Sequence, residues 1–330
     1  MNKGAKLAIA GAGMTGAYLF RILKNAGHEV DLYDRQQGTR CGLTSCAWGT
    51  SRGFIELVER AGLDSEKYIL RRLDHVLMDD VRIKAELMVF DKPRLVRDLL
   101  KDAEVHFKPL AVGSYERVID ATGVSRAMLP PIEDDIVLRC RQYLVETKEP
   151  LENRIKLGGI GYAWCFPLSG NRYHIGCGSL LSDPQEILRG LGWLESGSRR
   201  YEKKVLCGCA GKIRLTGPHQ SRPFVAEGPT RGIWGIGEAI GCVAPLAGDG
   251  IVPGMRSAQL LLKAWDKPGE YTDAVLDEFR WMEDERLVIE KLRRAQGMGM
   301  QEARVLRRNS KRMGMQVGLR EAFALLKNLR

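Results

Sequence analysis

No apolar run in the 330-residue chain approaches the roughly 20 residues that a helix needs to cross a bilayer, which excludes a helical membrane span. The eight cysteines are scattered, with only Cys207 and Cys209 as near neighbours, and nothing matches the paired spacing of a zinc site. No metal is therefore expected. There is no zinc finger, basic zipper or other nucleic-acid signature either, so nucleic acid ranks last among the partners that a net charge of +10 invites. Phospholipid headgroups, a phosphorylated substrate or an acidic electron carrier remain. Two lysines and small apolar residues near the start are faintly like a signal peptide. The glycine turn that follows, with Arg21 and Lys24, suits a working strand and helix better. The expectation is a cytoplasmic protein with reduced thiols. With 44% hydrophobic and 28% charged residues the composition is that of a folded globular chain, long enough for one large core or two moderate ones.

What is present begins at residues 6–35. A short apolar run, residues 7–10, feeds Gly11-Ala12-Gly13-Met14-Thr15-Gly16, after which Tyr18, Leu19, Ile22 and Leu23 recur at helical spacing. Gly11 allows the tight turn, Gly13 lets the backbone approach a pyrophosphate, and Gly16 lets the helix pack on the strand. The phosphates belong at the helix N-terminus, beside Met14 and Thr15, where unpaired N–H groups and the dipole favour negative charge. A second strand, residues 29–33, ends at Asp34 and Arg35, at about the 20-residue spacing of the acid that binds a ribose hydroxyl. These are the parts of a dinucleotide grip, and they leave FAD and NAD equally open. An ordinary glycine-rich βα turn is the plainer alternative.

A polar loop then brings Cys41 and Gly42 back toward the dinucleotide; the thiol is a candidate for chemistry, or a small residue filling a turn. Residues 53–61 read as a helix, 68–90 as half-buried strands, and Asp91-Lys92-Pro93 as the start of another helix with Leu95, Val96, Leu99 and Leu100 on one face. A strand over 117–119 runs into Asp120-Ala121-Thr122-Gly123, a second glycine turn. From 136 to 213 the period shifts toward two. In 162–167 it sets Tyr162, Trp164 and Phe166 on one face, either an aromatic core or an apolar wall beside a cofactor. A third glycine-rich stretch holds Gly237 and Glu238, followed by Pro245-Leu-Ala-Gly248-Asp249-Gly250-Ile251 and a helix. Glycine turns at both ends of the chain suggest a discontinuous cofactor domain (1–55, 92–130 and 231–270) with a mainly β substrate domain (56–91 and 131–230) inserted. Residues 271–330 read as helical and basic, with an apolar side at Leu319, Phe323, Leu325 and Leu326: a solvated face, or a surface that docks on an anionic membrane.

Taken together, these motifs resemble the geranylgeranyl reductase family, within the FAD enzymes built like p-hydroxybenzoate hydroxylase. The resemblance spans nearly the whole chain. GAGMTG with Asp34 is similar to the family's FAD fingerprint; Arg40-Cys41-Gly42 to its cysteine-glycine pair; residues 118–123 to its second glycine motif; Tyr162-Ala-Trp-Cys-Phe-Pro167 to its YxWxFP; and Gly237-Glu-Ala with residues 245–251 to its GDA and PLTGxGI. Glu238 stands where the family usually has Asp, and Leu168-Ser169 replace a common Lys-Gly.

The resemblance implies an α/β fold with a Rossmann-like FAD-binding domain, and adds Arg94 to the cofactor ligands. It also implies hydride transfer from reduced flavin to a carbon–carbon double bond of a polyprenyl chain. In that chemistry the helix after Gly250 stabilises the reduced ring, and Tyr162, Trp164, Phe166 and Cys41 stand near the substrate. A separate GxGxxG unit for NAD(P)H is absent, so electrons are expected from a ferredoxin, a deazaflavin or transiently bound NAD(P)H. The implied partner is an apolar isoprenoid or lipid, met at a membrane's inner face. An aromatic hydroxylase or halogenase of the same fold, and a flavin electron-transfer subunit, are the competing expectations.

Overall fold

The computed structural model describes residues 6–35, 47–194, 203–229 and 231–329. The chain opens with Leu7–Ala10 (β1), Met14–Asn25 (α1) and Val30–Tyr33 (β2), the unit expected from the glycine spacing. Gly49–Thr50 (β3) and Gly53–Arg60 (α2) precede a long hairpin, Ile69–Met78 (β4) and Val81–Phe90 (β5). Lys92–Leu99 (α3), Val105–His106 (β6) and Arg117–Asp120 (β7) follow. The middle of the chain is Val137–Thr147 (β8), Arg154–Leu157 (β9), Gly161–Pro167 (β10), Arg172–Ser179 (β11), Pro184–Gly190 (α4) and Lys203–Arg214 (β12). After Val225–Ala226 (β13) and Ile233–Gly235 (β14) come Ile251–Lys263 (α5), Pro268–Glu278 (α6), Arg280–Arg293 (α7), Met300–Arg312 (α8), Met315–Gln316 (β15) and Leu319–Asn328 (α9).

These strands make two sheets. The first runs β13-β14-β7-β1-β2-β6 and is parallel except for β13. From β1 the chain crosses to β2 on one side and later to β7 on the other, so the order reverses at β1. A crevice opens at such a reversal, beyond the strands' carboxyl ends. Ala10 is level with both Tyr33 and Asp120, which sets the turns after β1 and β7 side by side. Helices α1, α2, α3 and α5 bury their apolar faces against this sheet, with Leu19, Leu57, Leu95 and Met255 fully buried.

The second sheet runs β12-β8-β11-β10-β9-β4-β5-β15, with β3 also on β5. Both its faces are covered. Trp164 and Phe166 of β10 pack toward Val288, Ile289 and Leu292 of α7 and toward Leu325 and Leu326 of α9; the alternate residues Ala163 and Cys165 pack toward Leu188 of α4. The period-two reading of 162–167 is what this arrangement requires. The β4–β5 hairpin turns on Asp79 and Asp80, both with positive φ, as a two-residue hairpin demands. The Asp79 carboxylate accepts from Leu157 N–H (3.1 Å) and Asn328 Nδ2 (2.9 Å), tying the hairpin to β9 and to the end of α9.

Two expectations for the C-terminal sixty residues change. They are not wholly helical: Gly314, with φ of 80°, ends α8 and turns the chain onto β5, where Met315 pairs with Ala85. The apolar side read at Leu319, Phe323, Leu325 and Leu326 packs on the second sheet, with Leu325 and Leu326 buried, and is not left facing outward. Among the described residues no helix is long and apolar enough to cross a membrane.

Arg117 fastens the two ends of the first sheet's core. It is 1% exposed, lies 4.6 Å from the Trp234 ring and 4.2 Å from the Trp265 ring, and pairs with Asp266 at 2.9 Å. Desolvation pulls its pKa down while Asp266 holds it up. Arg117→Ala should destabilise the protein by on the order of 3 kcal/mol, through the cavity and two lost cation–π contacts. Urea unfolding followed by tryptophan fluorescence checks this.

Candidate dinucleotide and substrate site

A cavity of about 1300 Å³ begins at the crevice beside β1 and runs to the second sheet and the helices that cover it. Gly11, Gly13, Met14, Thr15, Asp34 and Arg35 line one end of it, with Ala121, Thr122 and Gly123 from the turn after β7. Glu238, Gly248, Asp249, Gly250 and Ile251 join from the C-terminal third. Tyr162, Trp164 and Phe166 line it from β10. Residues more than 200 positions apart thus share one space. Cys41 and Gly42 lie outside the described residues.

The glycines of the first turn do different jobs. Gly11 has φ of 106° and donates its N–H to Tyr33 O at 2.7 Å; a Cβ on it would stand 2.3 Å from Ala121 O. A Cβ on Gly16 would stand 1.9 Å from Gly11 O, so its role is packing inside the turn and it does not line the cavity. A Cβ on Gly13 would meet nothing within 4 Å. That position is bare and opens on the cavity. No side chain caps α1 and no acid stands in its first turn, which leaves its N–H groups and positive dipole end for an anion. Asp34 accepts Ala12 N–H at 3.0 Å through one oxygen, which holds the acid at the turn and leaves its other oxygen for a ribose hydroxyl.

The second turn is shaped by a residue that sequence reasoning treated only as part of the strand end. Asp120 is fully buried and takes four donors: Thr122 N–H (3.0 Å) and hydroxyl on one oxygen, Met128 N–H (2.9 Å) and Leu129 N–H (3.1 Å) on the other. Arg214, at the end of β12, then ties the turns together. Its side chain donates to Val124 O and Glu238 O, both at 2.8 Å, and pairs with Asp135 at 3.0 Å. Its own N–H reaches the Glu238 carboxylate at 2.8 Å. Burial raises the Glu238 pKa, and Arg214 works against that rise.

Arg94, expected among the cofactor ligands, does not line the cavity. It donates to Lys67 O at 3.0 Å and lies over the Tyr68 ring at 5.8 Å. Lys92, two residues earlier and 9% exposed, lines it instead. Two helical positions span about 200°, so 92 and 94 face opposite ways. The pattern held the clue: Lys92 precedes Leu95 by three and Leu99 by seven, on the inward stripe. Gly237 and Pro245 are buried without lining the cavity; Gly237 gives close room to Thr15, whose hydroxyl a Cβ would meet at 2.8 Å.

Against the first turn of α1, where a Cβ on Gly254 would stand 2.3 Å from the Thr15 hydroxyl, α5 starts after Gly250 with no acid in its first turn. Asp249 accepts Ile251 N–H at 2.9 Å through one oxygen, while its other oxygen is buried without a hydrogen-bond partner. Burial pushes its pKa up to about 6. Tyr162 donates its hydroxyl to Ala247 O, joining β10 to this loop. Trp164 donates Nε1 to Gln142 Oε1 at 3.3 Å and lies flat on Gly176, where a Cβ would be 2.3 Å from the indole. Tyr162 stands 5.7 Å from Trp164 in an edge-to-face contact. Trp164 and Phe166 are 5% and 8% exposed, so the aromatic face is core and cavity wall at once.

No family model matches this sequence. It is similar to an uncharacterised protein of Methanocaldococcus jannaschii, 24% identical over an alignment of 325 residues that covers 82% of this chain and 86% of that one. Among solved structures, a geranylgeranyl bacteriochlorophyll reductase-like protein from Thermoplasma acidophilum superposes with a TM-score of 0.70 at 16% identity, covering 87% of each chain. A flavin-dependent halogenase from Xanthomonas campestris gives 0.64 at 12% identity, covering 86% of this chain and 77% of that one. A probable FAD-dependent monooxygenase from Pseudomonas aeruginosa gives 0.57 at 16% identity, covering 98% and 99%. The chain has the fold of these proteins.

Gly13→Ala and Gly16→Ala should separate binding from folding. Gly16→Ala should cost several kcal/mol of stability, since no side chain can yield to the backbone contact. Gly13→Ala should leave the melting temperature of the ligand-free protein within a degree or two and weaken dinucleotide affinity at least tenfold, measured by calorimetry. Asp249 gives a pH test. The folded protein holds a proton that the unfolded chain releases between about pH 4 and 6, so stability falls as pH rises through that window. Asp249→Asn should reduce the difference in unfolding free energy between pH 4.5 and 7 by on the order of 2 kcal/mol.

Proposed function

We propose that this chain is an FAD-dependent oxidoreductase that reduces carbon–carbon double bonds of a polyprenyl chain. The observation that carries the reading is one continuous cavity with glycine turns and the uncapped start of α1 at one end and an apolar aromatic wall at the other. The uncovered Gly13 and the available oxygen of Asp34 fit a pyrophosphate and a ribose. FAD bound there would supply the hydride. The chain's own residues do the rest.

Gly13 and the first-turn N–H groups of α1 hold the pyrophosphate, with Lys92 as the nearby cation. Asp34 takes the adenosine ribose, and Glu238, fixed by Arg214, takes hydroxyls of the ribityl chain. The start of α5 turns its positive dipole end toward negative charge that develops on reduction. Tyr162, Trp164 and Phe166 hold the apolar chain and keep water out, so that reaction is favoured by position. The first sheet and its helices serve as cofactor domain and the second sheet as substrate wall.

Electrons come from an external donor, a ferredoxin, a deazaflavin or NAD(P)H. An isoprenoid lipid would be met at a membrane surface. With the apolar side of α9 buried, that contact is electrostatic, through the exposed Arg304, Arg307, Lys311 and Arg312, at about 1 kcal/mol per cation near anionic lipid. The halogenase and monooxygenase that share the fold favour a second reading, oxygen activation on an aromatic substrate. An electron-transfer subunit without an organic substrate would have little use for so large an apolar cavity.

The test is anaerobic stopped-flow absorbance of the FAD-loaded, dithionite-reduced protein mixed with a geranylgeranylated lipid. Rapid reoxidation with saturated product is expected. Phe166→Ala should raise the lipid concentration for half-maximal rate about tenfold with FAD content unchanged, as fits about 1.5–3 kcal/mol of lost apolar contact. Rapid reoxidation by oxygen, with none by lipid, would move the second reading ahead.

A further inference from the structure

One acidic side chain inside the cavity has no part in holding the dinucleotide. Glu285 of α7 is 2% exposed and lines the space beside Leu246, Leu306, Asn309 and Ser310. One of its oxygens accepts Leu246 N–H at 2.9 Å. Leu246 is the neighbour of Ala247, whose carbonyl accepts the Tyr162 hydroxyl. The loop that leads into α5 is therefore gripped from two sides, by the aromatic strand and by Glu285. This carboxyl faces the same space as the glycine turns and the aromatic strand. Asn309, 1% exposed on α8, hydrogen-bonds it from the other side.

Its surroundings favour the neutral carboxyl over the carboxylate. Burial pushes its pKa up to about 7, against the lowering effect of the hydrogen bonds from Leu246 and Asn309. The charged groups that act on it are Asp284 on α7 and Arg308 on α8. These two pair with each other, so their effects largely offset. The loop packed on the carboxyl carries no charge before Asp249. A carboxylic acid whose pKa lies near the operating pH is suited to general acid catalysis.

We propose that Glu285 is the acid that gives a proton to the substrate in this cavity, a role that rests on the reductase reading above. The Glu285 O–H bond breaks and a C–H bond forms at one carbon of the double bond. The hydride for the other carbon would be supplied by bound, reduced FAD, whose electrons the external donor would replace. The carboxylate regains its proton from solvent. One hydride and one proton convert the double bond to a single bond, and the charges balance.

The experiment uses the full-length, FAD-loaded protein, reduced anaerobically and mixed with a geranylgeranylated lipid in micelles, between pH 5.5 and 9. In the wild type the rate should fall as pH rises through about 7, because the protonated acid is the active form. Glu285→Gln keeps an oxygen for Leu246 N–H, so FAD content and lipid binding should hold. Its rate should fall about 10²–10⁴-fold and lose the alkaline decline. Glu285→Asp, which keeps the acid on a shorter arm, should recover part of the rate and the pH dependence. A Gln variant that matches the wild type in rate and pH profile overturns the donor role alone. A wild type that the lipid does not reoxidise overturns the reductase reading, and the donor role with it.

Discussion

The close approach of two backbone segments organises this molecule. The turn after β1 presses against the turn after β7, with Gly11 so near Ala121 O that no side chain fits between them. Gly16 then lets α1 sit directly on that turn. Because the first sheet reverses its strand order at β1, this is also where its crevice opens. Steric exclusion of a Cβ at two positions thus creates the space in which a dinucleotide can lie.

The second sheet depends on this arrangement for its use. The loop over residues 245–249 reaches the start of α5, meets the Tyr162 hydroxyl through Ala247 and meets Glu285 through Leu246. The loop is the joint between the two sheets, and each contact is a buried or half-buried hydrogen bond whose loss would leave a polar group unpaired. Arg214 plays the matching role on the opposite wall, bonding Val124 O after one glycine turn and Glu238 O within another. Polar contacts of this kind fix the walls, while apolar burial around both sheets supplies the bulk of the stability.

Much of the site was legible because its signals are local. A glycine needed for a turn, an acid at a strand end and aromatics two apart on a strand are each set by backbone geometry within a few residues. Such are Gly11, Gly13, Asp34 and the alternation of Tyr162, Trp164 and Phe166. Arg94 shows where local reading stopped short. The resemblance put it among the cofactor ligands, but the helix phase, fixed by Leu95 and Leu99 packing inward, turns it outward and turns Lys92 in. The apolar side of α9 is a second case: periodicity showed that it had an apolar face, and only the packed second sheet showed what covers it.

By itself the sequence determined the first strand-helix-strand unit, the discontinuous glycine turns and the β character of the middle, because these follow from residue type and short-range period. The tertiary structure alone decided which residues meet across hundreds of positions. Arg214 as a bridge and Glu285 as an acid in the cavity have no signature along the chain. Each is defined by what it lies against: a buried carboxylate is a helix's ordinary surface residue until another element removes its water.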